Sequence, residues 1–340
     1  MNILYWSSHA ILEFDEVKLL TEMGYNVISL GAYLHNNKGT DMRGEIPNLY
    51  NNEHLRSVAI QSGKYYVHQD LIDWMDVALF MHNAKTQPDQ MEQPEIASNW
   101  KNIKYKRVIF RSIGQSVPAI ENELKQYRSE GLQIVRYSPK ERNIPGYAGE
   151  DAIIRFYKDP DEYTNWSGED KIILNFSQSM KQRKDHCGYN IWEKTTNGYP
   201  RKVYGPGNED LKTDWGGIAI PEEQKKLYKK SRCYFYYGTT PASYTLTTIE
   251  AMMTGIPMIV AGKGLHPDLY KQDTYEMEDF IQNGQNGFIS NDVGDLRRSI
   301  DVLMNDYEGA KKISENSRQT AIQLFGRDKI AQEWNSFLGG

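Results

Sequence analysis

The chain has 340 residues, 39% of them hydrophobic and 25% charged, with a net charge of −5. That length predicts two cores rather than one, and the composition excludes a disordered, collagenous or membrane-embedded chain. The acidic balance argues against a broadly basic nucleic-acid coat, and the two cysteines, Cys187 and Cys233, fit neither a disulfide framework nor a metal motif.

The opening "MNILYWSSHAILEF" is too polar and short for a signal peptide, and no run reaches the roughly 18–20 apolar residues of a membrane span. The cysteines read as free thiols, and the expected location is the cytoplasm, with contact at a membrane surface left open. "MNILYWSS" reads as a buried strand, "ILEFDEVKLLTEMG" as a helix stopping at Gly24, and "YNVISLG" as the next strand. "MDVALFMHN" and "KRVIFRSIG" are further apolar strands ending in polar loops. This alternation predicts a doubly wound α/β domain over residues 1–160, in which strand ends such as His82, Arg111 and the loop Ser112–Ser116 face a ligand crevice.

"RFYKDPDEYTNWSGED" is rich in charge and turn formers and reads as a linker around Asp159–Asp170. A second α/β series covers 165–320: strands "KIILNFSQ", "KVYGPG" and "RCYFYYG", and helices "PEEQKKLYKKS" and "DVGDLRRSIDVLMND". The last segment, "ENSRQTAIQLFGRDKIAQEWNSFL", reads as helix with a break at Gly326. "NWKNIKYKR" interleaves Lys101, Lys104, Lys106 and Arg107 with Trp100 and Tyr105, a pattern able to grip nucleic acid. Residues 1–150 nevertheless hold 16 Lys and Arg against 18 Asp and Glu, and the simpler reading is a helix end running into a strand.

The most informative stretch is "PASYTLTTIEAMMTGIPMIVAGKG", Pro241–Gly264. A helix is predicted over Thr245–Thr254, with Leu246, Ile249 and Met253 on one face, a stop at Gly255 and Pro257 beyond. Its N-terminus carries unpaired N–H groups and a positive dipole end, with no acid nearby, so it suits a phosphate. Glu250 lies further along, where its carboxylate suits a vicinal diol. Phosphate and diol together describe a nucleotide; the simpler alternative is a core helix with one salt-bridged Glu.

"TIEAMMTGIPMIVAGKG" followed by "IQNGQNGFIS" resembles the donor-binding signature of GT-B glycosyltransferases, especially family four, over about Lys171–Asn305. The resemblance implies two Rossmann-like domains facing across a cleft: an acceptor domain over 1–160, a nucleotide-sugar domain over 165–320, and a C-terminal helix, 320–340 with Trp334, packing back on the first. It implies transfer of a sugar from a UDP- or GDP-sugar to a hydroxyl acceptor with retention of configuration, with no cofactor and no metal. Glu250 matches the second Glu of the family's Glu-x7-Glu motif, which binds ribose, and Leu246 and Thr247 match the start of the phosphate-binding helix. Thr245, Tyr244 and Ser243 belong to the same donor loop. The first Glu falls on Ala242, so the sugar half of the site departs from the family.

In "SQSMKQRKDHCG" the family's diphosphate-binding Lys matches Lys184. Its Arg falls on Gln178, for which Arg183 or Lys181 could substitute. Gly217 and Ile218 match the base-binding loop. His82 matches a histidine near the transferred sugar, His9 lies in the loop that approaches the phosphates, and Arg111 and Gln115 are candidates for the acceptor. Two alternatives accompany this reading: a phage-type enzyme that glycosylates hydroxymethylated pyrimidines in DNA, and a non-catalytic nucleotide-sugar-binding protein that lacks the first Glu.

Overall fold

A computed structural model describes residues 1–7, 9–31, 33–34, 43–62, 66–81, 94–114, 116–163, 165–266 and 272–339. The chain divides into two units, Met1–Tyr157 with Arg327–Gly340, and Lys158–Gly326.

In unit 1, β1 (Asn2–Trp6), α1 (Ala10–Glu22) and β2 (Asn26–Ser29) come first, then α2 (Glu53–Gln61), α3 (Gln69–Trp74) and β3 (Val77–Met81). They are followed by α4 (Pro94–Ile103), β4 (Arg107–Arg111), α5 (Pro118–Arg128), β5 (Gln133–Arg136) and β6 (Ala152–Ile153). Among the described residues the sheet order is β2-β1-β3-β4-β5-β6, parallel throughout. Helices cover both faces of such a sheet, which is why β3, "VALFM", is buried along its whole length and reads as an unbroken apolar run. Strand order reverses between β1 and β3, the place where open α/β sheets leave a crevice beyond their C-terminal ends.

The core of unit 1 also contains ion pairs. Arg111 is fully buried, with a guanidinium nitrogen 2.9 Å from Glu16 Oε1. It also donates to the carbonyls of Ile154 and Arg155. Arg136 pairs with Glu121 at 2.7 Å, neither side chain exposed. Arg111 is thus a structural cation. This corrects its reading as an acceptor ligand, because a side chain spent on Glu16 and two carbonyls has nothing to offer a substrate.

In unit 2, β7 (Asp170–Phe176), α6 (Tyr189–Thr196), β8 (Arg201–Tyr204), β9 (Trp215–Gly217), α7 (Pro221–Lys230) and β10 (Ser231–Tyr236) come first. Then come α8 (Leu246–Thr254), β11 (Met258–Ala261), α9 (Met277–Phe280), β12 (Gly287–Ser290), α10 (Val293–Asn305) and α11 (Tyr307–Phe325). The described strands form one parallel sheet in the order β12-β11-β10-β7-β8-β9, which reverses between β7 and β10.

Helix α8 stops where its sequence predicts. Gly255 takes φ +88°, and a Cβ there would lie 2.9 Å from the Ser314 carbonyl of α11. The last helix, α12 (Arg327–Leu338), belongs to unit 1, whereas α11 stays in unit 2 through Phe325. The return to unit 1 therefore begins at the Gly326 break, later than the expected 320. Phe325 holds the chain in unit 2 by packing against Tyr244 and Phe280.

The "NWKNIKYKR" stretch is taken up by structure. Trp100 is in the core, edge-on to Tyr127. Lys104 pairs with Glu130, Lys106 donates to the Asp73 carbonyl, and Arg107 donates to the carbonyls of Phe337 and Leu338 at the end of α12. Cys187 and Cys233 are buried thiols, not disulfide-bonded. Among the described residues no helix is long and apolar enough to cross a membrane.

Candidate functional site

Where β7 and β10 part, their C-terminal ends and the N-terminus of α8 enclose a cavity of about 190 Å³. Its lining includes Asn175 and Phe176 from β7, Ser177, Gln178 and Arg183 from the following loop, Tyr234 and Tyr236 from β10, and Tyr237, Thr245 and Thr247.

Asn175 interrupts the apolar run Ile172–Phe176 of β7 one residue before the strand ends. Its Nδ2 donates to the Phe235 carbonyl at 2.8 Å, while its buried Oδ1 has no protein partner. A buried polar atom left this way marks a place built for a polar occupant. The Tyr234 hydroxyl accepts from the Phe176 N–H at 3.4 Å. The Tyr236 hydroxyl lies beside Thr245 and Thr248, and burial raises its pKa despite them. Burial, with Asp185 nearby, pushes the Tyr237 phenol up to about 12. These phenols are neutral at physiological pH and can donate to an anion.

The loop after β7 is clamped from the side. Asn208, fully buried, donates to the carbonyls of Ser177 and Gly205 and accepts from the Met180 N–H at 2.7 Å. The Gly-Pro-Gly turn after β8 comes so close that a Cβ on Gly205 would sit 2.3 Å from the Ser177 carbonyl oxygen. The clamp settles which cation reaches the cavity. Arg183 lines it, with Nη1 3.4 Å from the Gln178 carbonyl. Lys184, at φ +46°, opens the tight turn Lys184–Cys187 and is exposed outside the lining. Lys181 rests 5.9 Å from the Tyr189 ring. The cation placed at the cavity is thus Arg183, where the sequence put Lys184 first.

On the opposite wall Thr245 caps α8 in an extended conformation, its hydroxyl 2.9 Å from that of Thr247 and 3.3 Å from that of Thr248. Leu246 and Thr247 open the helix, so their N–H groups have no intrahelical acceptor, and the first turn holds no acid. Tyr244 is 1% exposed and packs on Phe280 and Phe325. Its side chain is core, which corrects its reading as a donor ligand. Ser243 is fully buried and its carbonyl accepts from the Glu276 N–H at 3.1 Å. Ala242 is half-buried in a turn closed by its own N–H on the Thr239 carbonyl.

Glu250 is not an open carboxylate. Its Oε1 lies 2.6 Å from Lys158 Nζ, and its Oε2 accepts from Gln224 Nε2 at 3.0 Å. Gln224 also donates to the Tyr228 hydroxyl, which donates to the Thr247 carbonyl at the cavity wall. The sequence reading missed Lys158, Gln224 and Asn208. Only Asn175, a polar residue inside the apolar run Ile172–Phe176, carried a signal in the sequence.

The remaining candidates lie elsewhere. Gly217 ends β9 and Ile218 follows it, both outside the cavity lining; the Gly217 carbonyl accepts from the Gly205 N–H, and Ile218 is 63% exposed. In unit 1, His9 caps α1, its Nδ1 accepting from the Leu12 N–H at 3.4 Å. His82 and Gln115 lie outside the described residues.

No protein-family model matches the chain. Over 193 residues it is 23% identical to the alpha-1,3/1,6-mannosyltransferase ALG2 of Dictyostelium discoideum, a match covering 55% of this chain and 41% of that protein. The chain therefore spans less than half the length of this curated relative. Among solved structures, Anabaena HepE in complex with UDP and glucose is 13% identical and superposes with a TM-score of 0.68 over all of both chains. The fold is GT-B. Sucrose-phosphate synthase from Thermosynechococcus elongatus, 11% identical, gives a TM-score of 0.68 over all of this chain and 98% of that one. An alpha-glucosyltransferase (AGT) in complex with UDP, 12% identical, gives 0.65 over all of both. In the GT-B frame of this chain, the cavity between β7 and β10 lies at the strand-order reversal of the second sheet.

Proposed function

We propose that this GT-B chain is a glycosyltransferase that moves a sugar from a nucleotide-sugar donor, a UDP-sugar in the first instance, to a hydroxyl acceptor on a carbohydrate or glycoconjugate, with retention of configuration. The observation that carries the reading is the cavity itself. It combines a helix N-terminus without acids, a guanidinium, and neutral phenol and threonine hydroxyls. That is a cradle for a diphosphate. The HepE and AGT complexes with UDP and the mannosyltransferase relative support the same direction.

In the reaction the bond from the anomeric carbon to the diphosphate oxygen breaks, the acceptor oxygen bonds to that carbon, and the acceptor hydroxyl loses its proton. Negative charge grows on the leaving diphosphate, where Arg183 and the α8 N–H groups would meet it. With that charge met by protein groups, the reading calls for no metal and no cofactor. The acceptor is assigned mainly to residues 1–150. Ala242 has no carboxylate for the sugar, so the donor sugar is held by hydroxyl and backbone groups of the Thr239–Tyr244 loop.

The test is release of UDP from a panel of UDP-sugars with candidate acceptors. Arg183→Ala should lower turnover more than about tenfold, since about 1.4 kcal/mol of transition-state stabilisation is already that factor. Lys184→Ala should cost about threefold or less by the same arithmetic. The reverse ranking would overturn the assignment of the cation. Tight nucleotide binding with no turnover of any donor would favour the second reading, a nucleotide-sugar-binding protein, to which Ala242 gives its one specific support.

A further inference from the structure

A groove of about 480 Å³ lies between β6 and α12, and it shares no residue with the cavity between β7 and β10. Every residue lining it belongs to unit 1. Its size falls within the roughly 300–1,000 Å³ of small-molecule sites. The two sides of the groove differ in chemistry. Ile153 of β6, Ile154 after it and Phe337 of α12 are apolar. The Phe337 ring is fixed, because the Arg107 guanidinium stands 4.8 Å from its centre and donates to its carbonyl.

The polar side comes from Gln332, Glu333 and Ser336 of α12. The Gln332 side chain is exposed and has no partner among the described residues. Glu333 Oε1 takes Lys329 Nζ at 2.9 Å, while its buried Oε2 has no hydrogen-bond partner among the described residues. A carboxylate oxygen left so is costly unless an occupant supplies a donor. The Ser336 hydroxyl donates to the Gln332 carbonyl at 2.9 Å and keeps its lone pairs.

The charges of the groove are already matched. Asp151 in its lining pairs with Arg128 at 3.0 Å, as Glu333 does with Lys329. A polyamine or an anion would add an unmatched charge, and a neutral ligand adds none. Strand β6 ends its sheet but is two residues long, too short an edge for an added peptide strand. The fitting occupant is a neutral molecule with one apolar face and a rim of groups that both donate and accept. A sugar ring has that build, with C–H bonds on its faces and hydroxyls around its edge. We propose that this groove is a carbohydrate-binding site, separate from the donor cavity, for a short neutral oligosaccharide. Its role, though not the binding itself, rests on the proposed glycosyltransferase reading: a glycan acceptor held here by its body stays at raised effective concentration while its reacting end turns over.

The experiment is calorimetric titration of the full chain, without nucleotide, with maltotriose, mannotriose and triacetylchitotriose, and with spermidine as the charged control. At least one trisaccharide should bind with a millimolar or tighter Kd, and spermidine should not. Gln332→Ala and Glu333→Ala should each weaken that trisaccharide by about fivefold or more, the worth of one hydrogen bond. Ser336→Trp should narrow the groove and weaken binding at least about tenfold. Gln332 and Ser336 are exposed on α12, so these two variants should keep the wild-type urea midpoint.

Binding of none of the trisaccharides overturns the inference, and so does binding that Gln332→Ala and Ser336→Trp leave unchanged. Spermidine bound by wild type and lost in Ser336→Trp would give the groove to a cation and overturn it as well. Turnover of a UDP-sugar by a chain that binds no trisaccharide sinks this inference alone. Trisaccharide binding that Ser336→Trp removes, in a chain that turns over no donor, upholds the site and sinks the glycosyltransferase reading.

Discussion

Glu141 shows how much charge unit 1 keeps inside. It is 2% exposed and accepts from the Ser112 hydroxyl at 2.5 Å. Burial pushes its carboxyl from 4.5 up to about 7, with Glu121 adding to the rise and Arg136 and Arg111 opposing it. The folded state thus holds this proton more tightly than the unfolded chain. Its contribution to stability is fully present below pH 4.5, falls as pH rises, and is lost above about 7. Glu141→Gln cannot titrate. Between those limits wild type should lose up to about 3 kcal/mol relative to the variant, at 1.36 kcal/mol per pH unit. Urea unfolding of both proteins at pH 4.5, 5.5, 6.5 and 7.5 checks this. Parallel pH profiles would show that the carboxyl is ionised in the fold.

Helix α8 combines two demands that conflict. Helices gain from an acid at the N-terminus, but α8 has Thr245 at the cap and no acid in its first turn. The proposed diphosphate site would account for that omission, because an acid there would repel the ligand. Thr245→Asp should therefore separate stability from binding. The better cap and the dipole should stabilise the protein by about 0.3–1 kcal/mol. UDP affinity should fall by tenfold or more, about the cost of one like charge at the site. Thermal unfolding and calorimetry on the same sample read both signs. Stronger UDP binding would move the phosphate away from this helix.

The whole chain is threaded so that unit 1 is completed by its last helix. Ile330, Trp334 and Leu338 of α12 are at most 2% exposed. The Arg111 guanidinium stands 5.6 Å from the Trp334 ring, and the Arg107 fork closes the helix end. Trp334→Ala should cost about 3–5 kcal/mol, as for other large buried aromatics. Hydrogen exchange should place the loss in residues 1–157 and 327–340, with residues 158–326 keeping their protection. Equal loss in both units would mean that they unfold as one.

Element limits were legible because their causes are local. Apolar runs marked β3 and β10, Gly255 and Pro257 closed α8, and the expected helix over 245–254 differs from the observed Leu246–Thr254 only at its cap. The unpaired N–H groups at the start of α8 were legible for the same reason, since they belong to any helix end. Side-chain partners were not legible, because they are chosen across the fold. Arg111 at a strand end looked available until Glu16, 95 residues away, took its guanidinium. Of the three cations in "KQRK" the sequence put Lys184 first, but the fold leaves Arg183 in the cavity lining, with Lys184, at φ +46°, outside it. Sequence alone determined the strands and the helices, since periodicity and chain breakers act over a few residues. Tertiary structure alone decided which charges are spent, since a buried charge takes whatever partner the packing brings within about 3 Å.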